Sequence, residues 1–355
     1  MIIGLGVLST YTGFVIGQFK QRYMHVHSMA DGGRILLGRL GQELLGSTQL
    51  IFFIFVMGSH ILAFSIMMNG LTNRAACTII FAVVGLIVSW ILTLPRRLED
   101  LSYISIISFI SIVGAVLTTM IGVSTPVTML GPVALFPTRP SFHEAFLAIA
   151  NILFAYAGHA AFFTLFSELR NIEEYPKALA MLQINDTILY TVAAIVIYRF
   201  AGSDVASPAI NSTRPLIRKI SYGIALPTVC FSYSVICISS ECLSDRSKIV
   251  IAGVVNAHVA VKFIYVRIFR GTNAMHEKSF VSQGTWALIC SILWIVSWVI
   301  AEAIPVFNDL LGLTVSFFRV MRWDLIIIAS FSSTNPALQA QILFPHAPGE
   351  ARHIC

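Results

Sequence analysis

Charge is scarce in this chain. Only 11% of its 355 residues are Asp, Glu, Lys or Arg, whereas 57% are hydrophobic and the mean hydropathy is +0.82. Soluble globular proteins carry about 25% charged residues, so the shortage excludes that class and points to a polytopic membrane protein. A complete metal site is also missing: His25 and His27 stand at a metal-like HxH spacing, yet nothing nearby completes it. The six cysteines (Cys77, Cys230, Cys237, Cys242, Cys290 and Cys355) form no CxxC pair and no zinc pattern. Most lie in apolar runs, where a thiol acts as a small hydrophobe. No basic block interleaved with aromatics occurs, so the net charge of +6 reports membrane orientation and not a nucleic-acid partner. Neither HExxH nor a pair of aspartates interrupts the apolar runs, which excludes the usual intramembrane hydrolase chemistries. The chain therefore does not read as an enzyme, and nothing in it calls for an organic cofactor. The N-terminal MIIGLGVLSTYTGFVIG lacks a basic leader and a cleavage site, so it reads as a spanning helix and not a signal peptide.

What the chain has in abundance is apolar runs of about 20 residues, enough to cross roughly 30 Å of hydrocarbon. They predict spans near 1–18, 48–70, 76–95, 101–123, 143–166, 180–200, 222–241, 249–266 and 282–303, with a last run starting near 306. Between the first two lies a polar connection, Gln18–Ser47, in which Ile35–Leu37 and Glu43–Leu45 predict short interfacial helices and Asp31-Gly32-Gly33 a turn. Lys20, Arg22, Arg34 and Arg39 place this connection in the cytoplasm. Alternation then puts Arg96, Arg97 and Arg170–Lys177 inside, and the proline-broken Thr125–Ser141 outside. Ala201–Arg218 also falls outside, with the sequon Asn211-Ser212-Thr213 as a glycosylation candidate. Arg214, Arg218 and Lys219 sit on that outer side against the rule. Arg267 and Arg270 return to the inside only if 222–266 makes one crossing. The serine-rich Cys230–Lys248 reads as an insertion, because its removal joins Ile224–Val229 to Ile249–Val255 in one apolar run. After Phe318 the period is lost, and 319–355 reads as a divergent tail behind a transporter domain over 1–318. Glu302 and Asp309, around Pro305, read as a solvated outer loop.

The centre of the chain is Ala150–Lys177. Asn151, Ala155, Gly158, His159 and Phe162 recur at i, i+4, i+7, i+8 and i+11, so one face of this helix is mostly small and polar. In lipid an unpaired amide or imidazole costs several kcal/mol; such a stripe faces other helices or a water-filled cavity. Gly158 lies mid-span, where a glycine lets the backbone unwind and aim its free groups at a ligand. His159 fits either a proton-coupling group, since imidazole titrates near ambient pH, or a structural hydrogen bond. His60, Asn256 and His258 read as packing or interhelical hydrogen-bonding residues, and Lys262 as a snorkelling cation.

These residues resemble the amino acid/auxin permease family, and within it the fungal neutral amino acid permeases. The resemblance runs from Tyr11–Lys20 through His25–Asp31, Cys77–Phe81 and Leu94–Arg97. Its centre is AYAGHAAFFTLFSEL at Ala155–Leu169, which resembles the family's sixth helix. It resumes at Tyr222–Pro227, Ile251–Arg270 and Ile300–Pro305. The resemblance implies an all-α, five-plus-five inverted-repeat transporter with its first and sixth helices broken near the midplane. It implies proton-coupled, in some branches sodium-coupled, symport of small neutral amino acids, at the plasma membrane in preference to the vacuole. Carried over by position, Asn151, Tyr156, Ala157, Gly158, His159 and Ala160 would bind substrate. His159 and Glu168 are the coupling or gating candidates, with Glu168 at the cytoplasmic mouth. The chain begins at what resembles the second helix, the eighth is interrupted after Val229, and the pattern ends after Phe318. Read so, the fold is incomplete, three faults resemble gene-model errors, and the alternative is a truncated non-transporting product or an amino acid sensor.

Overall fold

The computed structural model describes residues 1–94 apart from 27, and then 102–124, 133, 141–157, 162, 172–202, 205–231, 253–269, 280–307 and 309–315. Its helices are α1 (Ile2–Arg22), α2 (Met29–Thr72), α3 (Thr78–Thr93), α4 (Ser102–Val123), α5 (Phe142–Ala155), α6 (Tyr175–Ala201), α7 (Pro215–Phe231), α8 (Gly253–Phe269) and α9 (Phe280–Ala303). Single 3-10 turns cover Ile172–Glu174 and Ala209–Ser212, and 309–315 is helical. No strand occurs among the described residues.

Outside its hydrophobic core, the surface is apolar where a soluble protein's is polar. Ile80, Val84, Ile87 and Ile91 of α3 are exposed, as are Met181, Ile184, Ile188 and Ile195 of α6 and Leu288, Ile292, Ile295 and Val299 of α9. Each set keeps the three- and four-residue steps of one helix face. In water, apolar faces of this extent would drive association; in hydrocarbon they match the solvent. The buried faces carry polar groups alongside their apolar ones, among them Ser59, Ser65, Ser89, Thr93, Gln183 and Ser297. Four described helices are long and apolar enough to cross a membrane: α1, the Leu37–Thr72 part of α2, α6 and α9. The protein is an all-α polytopic membrane protein.

α2 is the hub, packed against α3, α7, α8 and α9. Its seam with α9 is narrow: a Cβ built at Gly58 would stand 3.0 Å from the Ser297 carbonyl oxygen. Beside this seam the indoles of α9 find polar partners on α3. Trp294 Nε1 donates to Thr93 Oγ1 at 3.1 Å and Trp286 Nε1 to the Thr93 carbonyl at 3.3 Å. Trp90 Nε1 donates back to Ser291 Oγ at 2.9 Å. Each bond contributes about 0.6 kcal/mol in a membrane interior, and more is lost if an indole N–H is stranded. His258 packs its ring on Trp286 with centroids 5.7 Å apart. Lys262, one turn further along α8, is exposed.

The first connection differs from its sequence reading. α1 continues to Arg22 and α2 already begins at Met29, so most of Gln18–Ser47 is helix. Asp31-Gly32-Gly33 is not a turn. Ser28 caps the helix by accepting from the Asp31 N–H, so Asp31 lies in its first turn, where a carboxylate meets the positive end of the dipole. The reversal falls at Leu37 and Gly38 instead, with Gly38 at φ 66° and ψ −145°, a conformation that needs glycine. Gly33 and Gly41 let the chain fold back, since a Cβ on Gly33 would meet the Gly41 carbonyl at 2.5 Å. Glu43–Leu45 belongs to the long helix and not to a separate one. Lys20 is also no free loop cation: it is buried, and its ammonium donates to the carbonyls of Met24 and Val26.

Two contacts fix the course of α7 and α8 along α2. Tyr222 of α7 covers Gly70, and Phe263 of α8 covers Gly46. Those glycines are 24 residues apart, about 36 Å along a helix. Arg267 then pairs with Glu43, beyond Gly46. α7 thus enters at one end of α2 and α8 leaves at the other, which is one net crossing and puts Arg267 on the side of Arg34 and Arg39. The Cys230–Lys248 reading lies outside the described residues beyond Phe231, as does the 319–355 tail. Two outer-side readings are corrected. α7 begins at Pro215, so Arg218 and Lys219 are helical and not in a loop. Glu302 sits half-buried in the last turn of α9 and not in a solvated loop.

Replacing Gly58 by Leu forces α2 and α9 apart, where overpacking costs typically 1–3 kcal/mol. The melting temperature of the detergent-solubilised chain should fall by several degrees. A midpoint unchanged from wild type would show that the two backbones do not meet there.

Candidate functional site

α5 is too short to cross. Its 14 residues span about 21 Å. A capping box fixes the start: Ser141 Oγ accepts from the Glu144 N–H, and the Glu144 carboxylate accepts from the Ser141 N–H at 2.9 Å. The helix runs to Ala155 and stops, with Tyr156 at φ −97° and ψ 17°. The Phe154 carbonyl accepts from the Ala157 N–H at 3.0 Å, and the negative end of the helix dipole gathers at this turn.

Two other helices meet this end. α1 offers a face without bulk, Gly6, Ser9, Gly13 and Gly17. A Cβ at Gly6 would lie 2.9 Å from the Tyr156 hydroxyl oxygen, one at Gly13 3.0 Å from the Phe162 ring, and one at Gly17 2.3 Å from the Tyr175 ring. The aromatic residues that flank the break are thus seated directly on α1 backbone, and Tyr175 donates its hydroxyl to the Gly13 carbonyl at 2.9 Å.

α6 supplies a polar stripe at helical spacing: Gln183, Asp186, Thr187 and Tyr190. Tyr156 donates to Thr187 Oγ1 at 3.2 Å, Tyr190 donates to the Ala155 carbonyl at 3.3 Å, and the two tyrosine rings stand edge to face at 5.4 Å. Gln183 Nε2 reaches back to Ser9 Oγ at 3.2 Å. Two carboxamide oxygens here, of Asn151 and Gln183, are buried with no hydrogen-bond partner among the described residues. As acceptors left over beside the end of α5, they suit an ammonium group or a small cation.

Of the residues singled out in the sequence, Asn151, Tyr156 and Ala157 lie at this break. Asn151 is one turn before the helix end, Tyr156 is 5% exposed and anchors the turn, and Ala157 follows it. Gly158, His159, Ala160 and Glu168 lie outside the described residues. Asn211 sits elsewhere, in the Ala209–Ser212 turn, where its side-chain oxygen accepts from Tyr222 Oη at 2.8 Å. The sequence reading missed Gly6, Ser9, Asp186, Thr187 and Tyr190. The i, i+3, i+4, i+7 spacing of Gln183, Asp186, Thr187 and Tyr190 was the available signal.

The family model for transmembrane amino acid transporter proteins matches residues 1–321. The chain belongs to that family. An N amino acid transport system protein of Neurospora crassa is 31% identical to it over 345 residues, 95% of this chain and 67% of the relative. A transmembrane transporter of Gibberella moniliformis is 29% identical over 346 residues, with 95% and 67% covered. A transmembrane transporter of Fusarium pseudograminearum is 28% identical over 346 residues, with 95% and 66% covered. The chain thus spans about two thirds of the length of these fungal relatives.

Within this family member, the Tyr156–Thr187 hydrogen bond should be separable from mere proximity. A double-mutant cycle with Tyr156→Phe and Thr187→Val, read by thermal unfolding in detergent, should give a coupling near 0.6 kcal/mol, the average for interhelical bonds in a membrane. Strict additivity would remove the bond from the account.

Proposed function

We propose that the chain carries small neutral amino acids across the plasma membrane as a proton-coupled symporter, with the substrate's charged ends held at the interruption after Ala155. The observation that carries this reading is an apolar helix that stops after 14 residues, at a point the hydropathy of the sequence puts mid-span, against a polar face of α6. Backbone at that depth is tolerated only where it is buried in protein or lines a cavity. The carbonyl end of α5 and the Asn151 oxygen suit the substrate ammonium. Gly158, His159 and Ala160 follow directly in the chain, and we assign them to the same site. Gly6, Ser9, Thr187 and Tyr156 offer small and hydroxyl groups to an uncharged side chain, with Asp186 as the carboxylate nearby.

Coupling to protons is assigned to Asp186. Its carboxylate lies half-buried in an apolar helix, one turn from Tyr190. An intramembrane carboxylate costs several kcal/mol when charged and unpaired, so it is neutralised by a proton or by a cation. A group that takes up a proton with substrate and releases it to the other side is what symport requires. His159 and Glu168 are the further coupling candidates.

The test is uptake of radiolabelled L-leucine and L-alanine by yeast lacking its own amino acid permeases. Uptake should rise as the external medium is acidified and collapse with a protonophore, independent of sodium. Gly158→Leu should abolish uptake at unchanged expression, and normal transport by that variant would sink the site assignment. Asp186→Asn should remove the acid stimulation. An unaltered pH profile would move the coupling role elsewhere.

A further inference from the structure

A second chamber opens at the Gly70 end of α2, away from the interruption in α5. Its volume is about 670 Å³, and its walls come from α2, α3, α7 and α9 together with the Ala209–Ser212 turn. The lining carries both signs of charge: Arg74 and Arg218 on one hand, Glu302 on the other. Arg74 follows the α2 C-cap at φ 60°, held by its N–H on the Asn69 carbonyl at 3.0 Å. The Nε of Arg218 is buried with no hydrogen-bond partner among the described residues. Ile66 and Ala82 contribute an apolar wall.

This chamber accounts for one of the cations that stand against the positive-inside pattern, Arg218. Arg218 lies on the outer side because it lines a cavity, not because it marks a cytoplasmic loop. A guanidinium withdrawn from water favours a carboxylate, which accepts from the planar fork in a charge-assisted pair. A carboxylate at Glu302 favours an ammonium in the same way. A molecule with both groups on one carbon answers both walls at once and brings no net charge into the chamber. The apolar wall then suits an uncharged side chain.

We propose that this chamber is a second amino acid site at the outer mouth of the protein, with the ligand carboxylate on Arg218 and its ammonium on Glu302. The inference rests on the transporter reading only for the choice of L-leucine as probe.

The experiment uses the full chain in detergent, with Cys77→Ser to silence the exposed thiol near the mouth and Ile66→Cys as reporter. Alkylation of the reporter by a polar maleimide is timed with and without L-leucine. Leucine at about ten times its Kd should slow labelling about tenfold, and acetate or methylamine alone should not. Arg218→Gln and Glu302→Gln should each abolish protection, and Arg218→Lys should restore part of it. Asn69→Cys serves as reporter if Ile66→Cys does not fold. Unchanged labelling in leucine, or protection that survives both charge substitutions, overturns the proposal. Equal protection by acetate reduces the chamber to an anion site and also overturns it. Gly158→Leu should leave protection intact, and its loss would place leucine only at the helix interruption. Protection without cellular uptake would support this site while the transport reading fails; uptake without protection would do the reverse.

Discussion

A helix that ends inside hydrocarbon leaves carbonyl groups that lipid cannot satisfy. That constraint organises this protein around the end of α5. Each unsatisfied backbone group at such depth costs several kcal/mol, so the interruption at Ala155 persists only if protein surrounds it. The surroundings are specific. Tyr190 donates to the Ala155 carbonyl, Tyr156 turns into the groove over Gly6 and is held by Thr187, and Tyr175 closes the far side on Gly13 and Gly17. Small residues on α1 and hydroxyls on α6 are two halves of one solution: the first allows close approach, the second supplies donors.

The rest of the bundle holds this arrangement in place from a distance. α2 spans the structure and meets α9 at Gly58 and α8 at Gly46, while α9 is tied to α3 by the indole hydrogen bonds at Thr93. α1 pairs with α6, and α4 packs on α7 and α6. Thr118 of α4 meets Ser221 of α7 at 3.0 Å, and Ser111 donates to the Ile224 carbonyl. Without a hydrophobic drive between helices in lipid, close packing and these hydrogen bonds are what remains to assemble them.

Much of the architecture was legible in the sequence because the membrane sets a length and a polarity that individual residues cannot override. The apolar runs located the helices, closely for α1, α3, α4 and α9, whereas α2 begins 19 residues before its run and α5 ends at Ala155. What was not legible depended on contacts far apart in sequence. Asp31-Gly32-Gly33 carries turn-forming residues, yet the glycines serve a close approach between Gly33 and Gly41, and the chain reverses at Gly38 instead. Arg218 and Glu302 looked like loop charges, because only the fold brings residues 84 positions apart to one chamber. Tyr156 was singled out in the sequence, but its partners on α1 and α6 were not. A glycine and a threonine in an apolar run are ordinary until the helix that faces them is known.

The measurement that tests the central claim most directly is uptake by the purified chain in proteoliposomes under an imposed pH gradient. With acid outside, radiolabelled L-leucine should accumulate above its equilibrium level and leak back when a protonophore is added. Uptake no greater than in protein-free vesicles, with the chain folded and inserted, would contradict the account. The interruption at Ala155 would then be a structural feature of this fold and not a transport site.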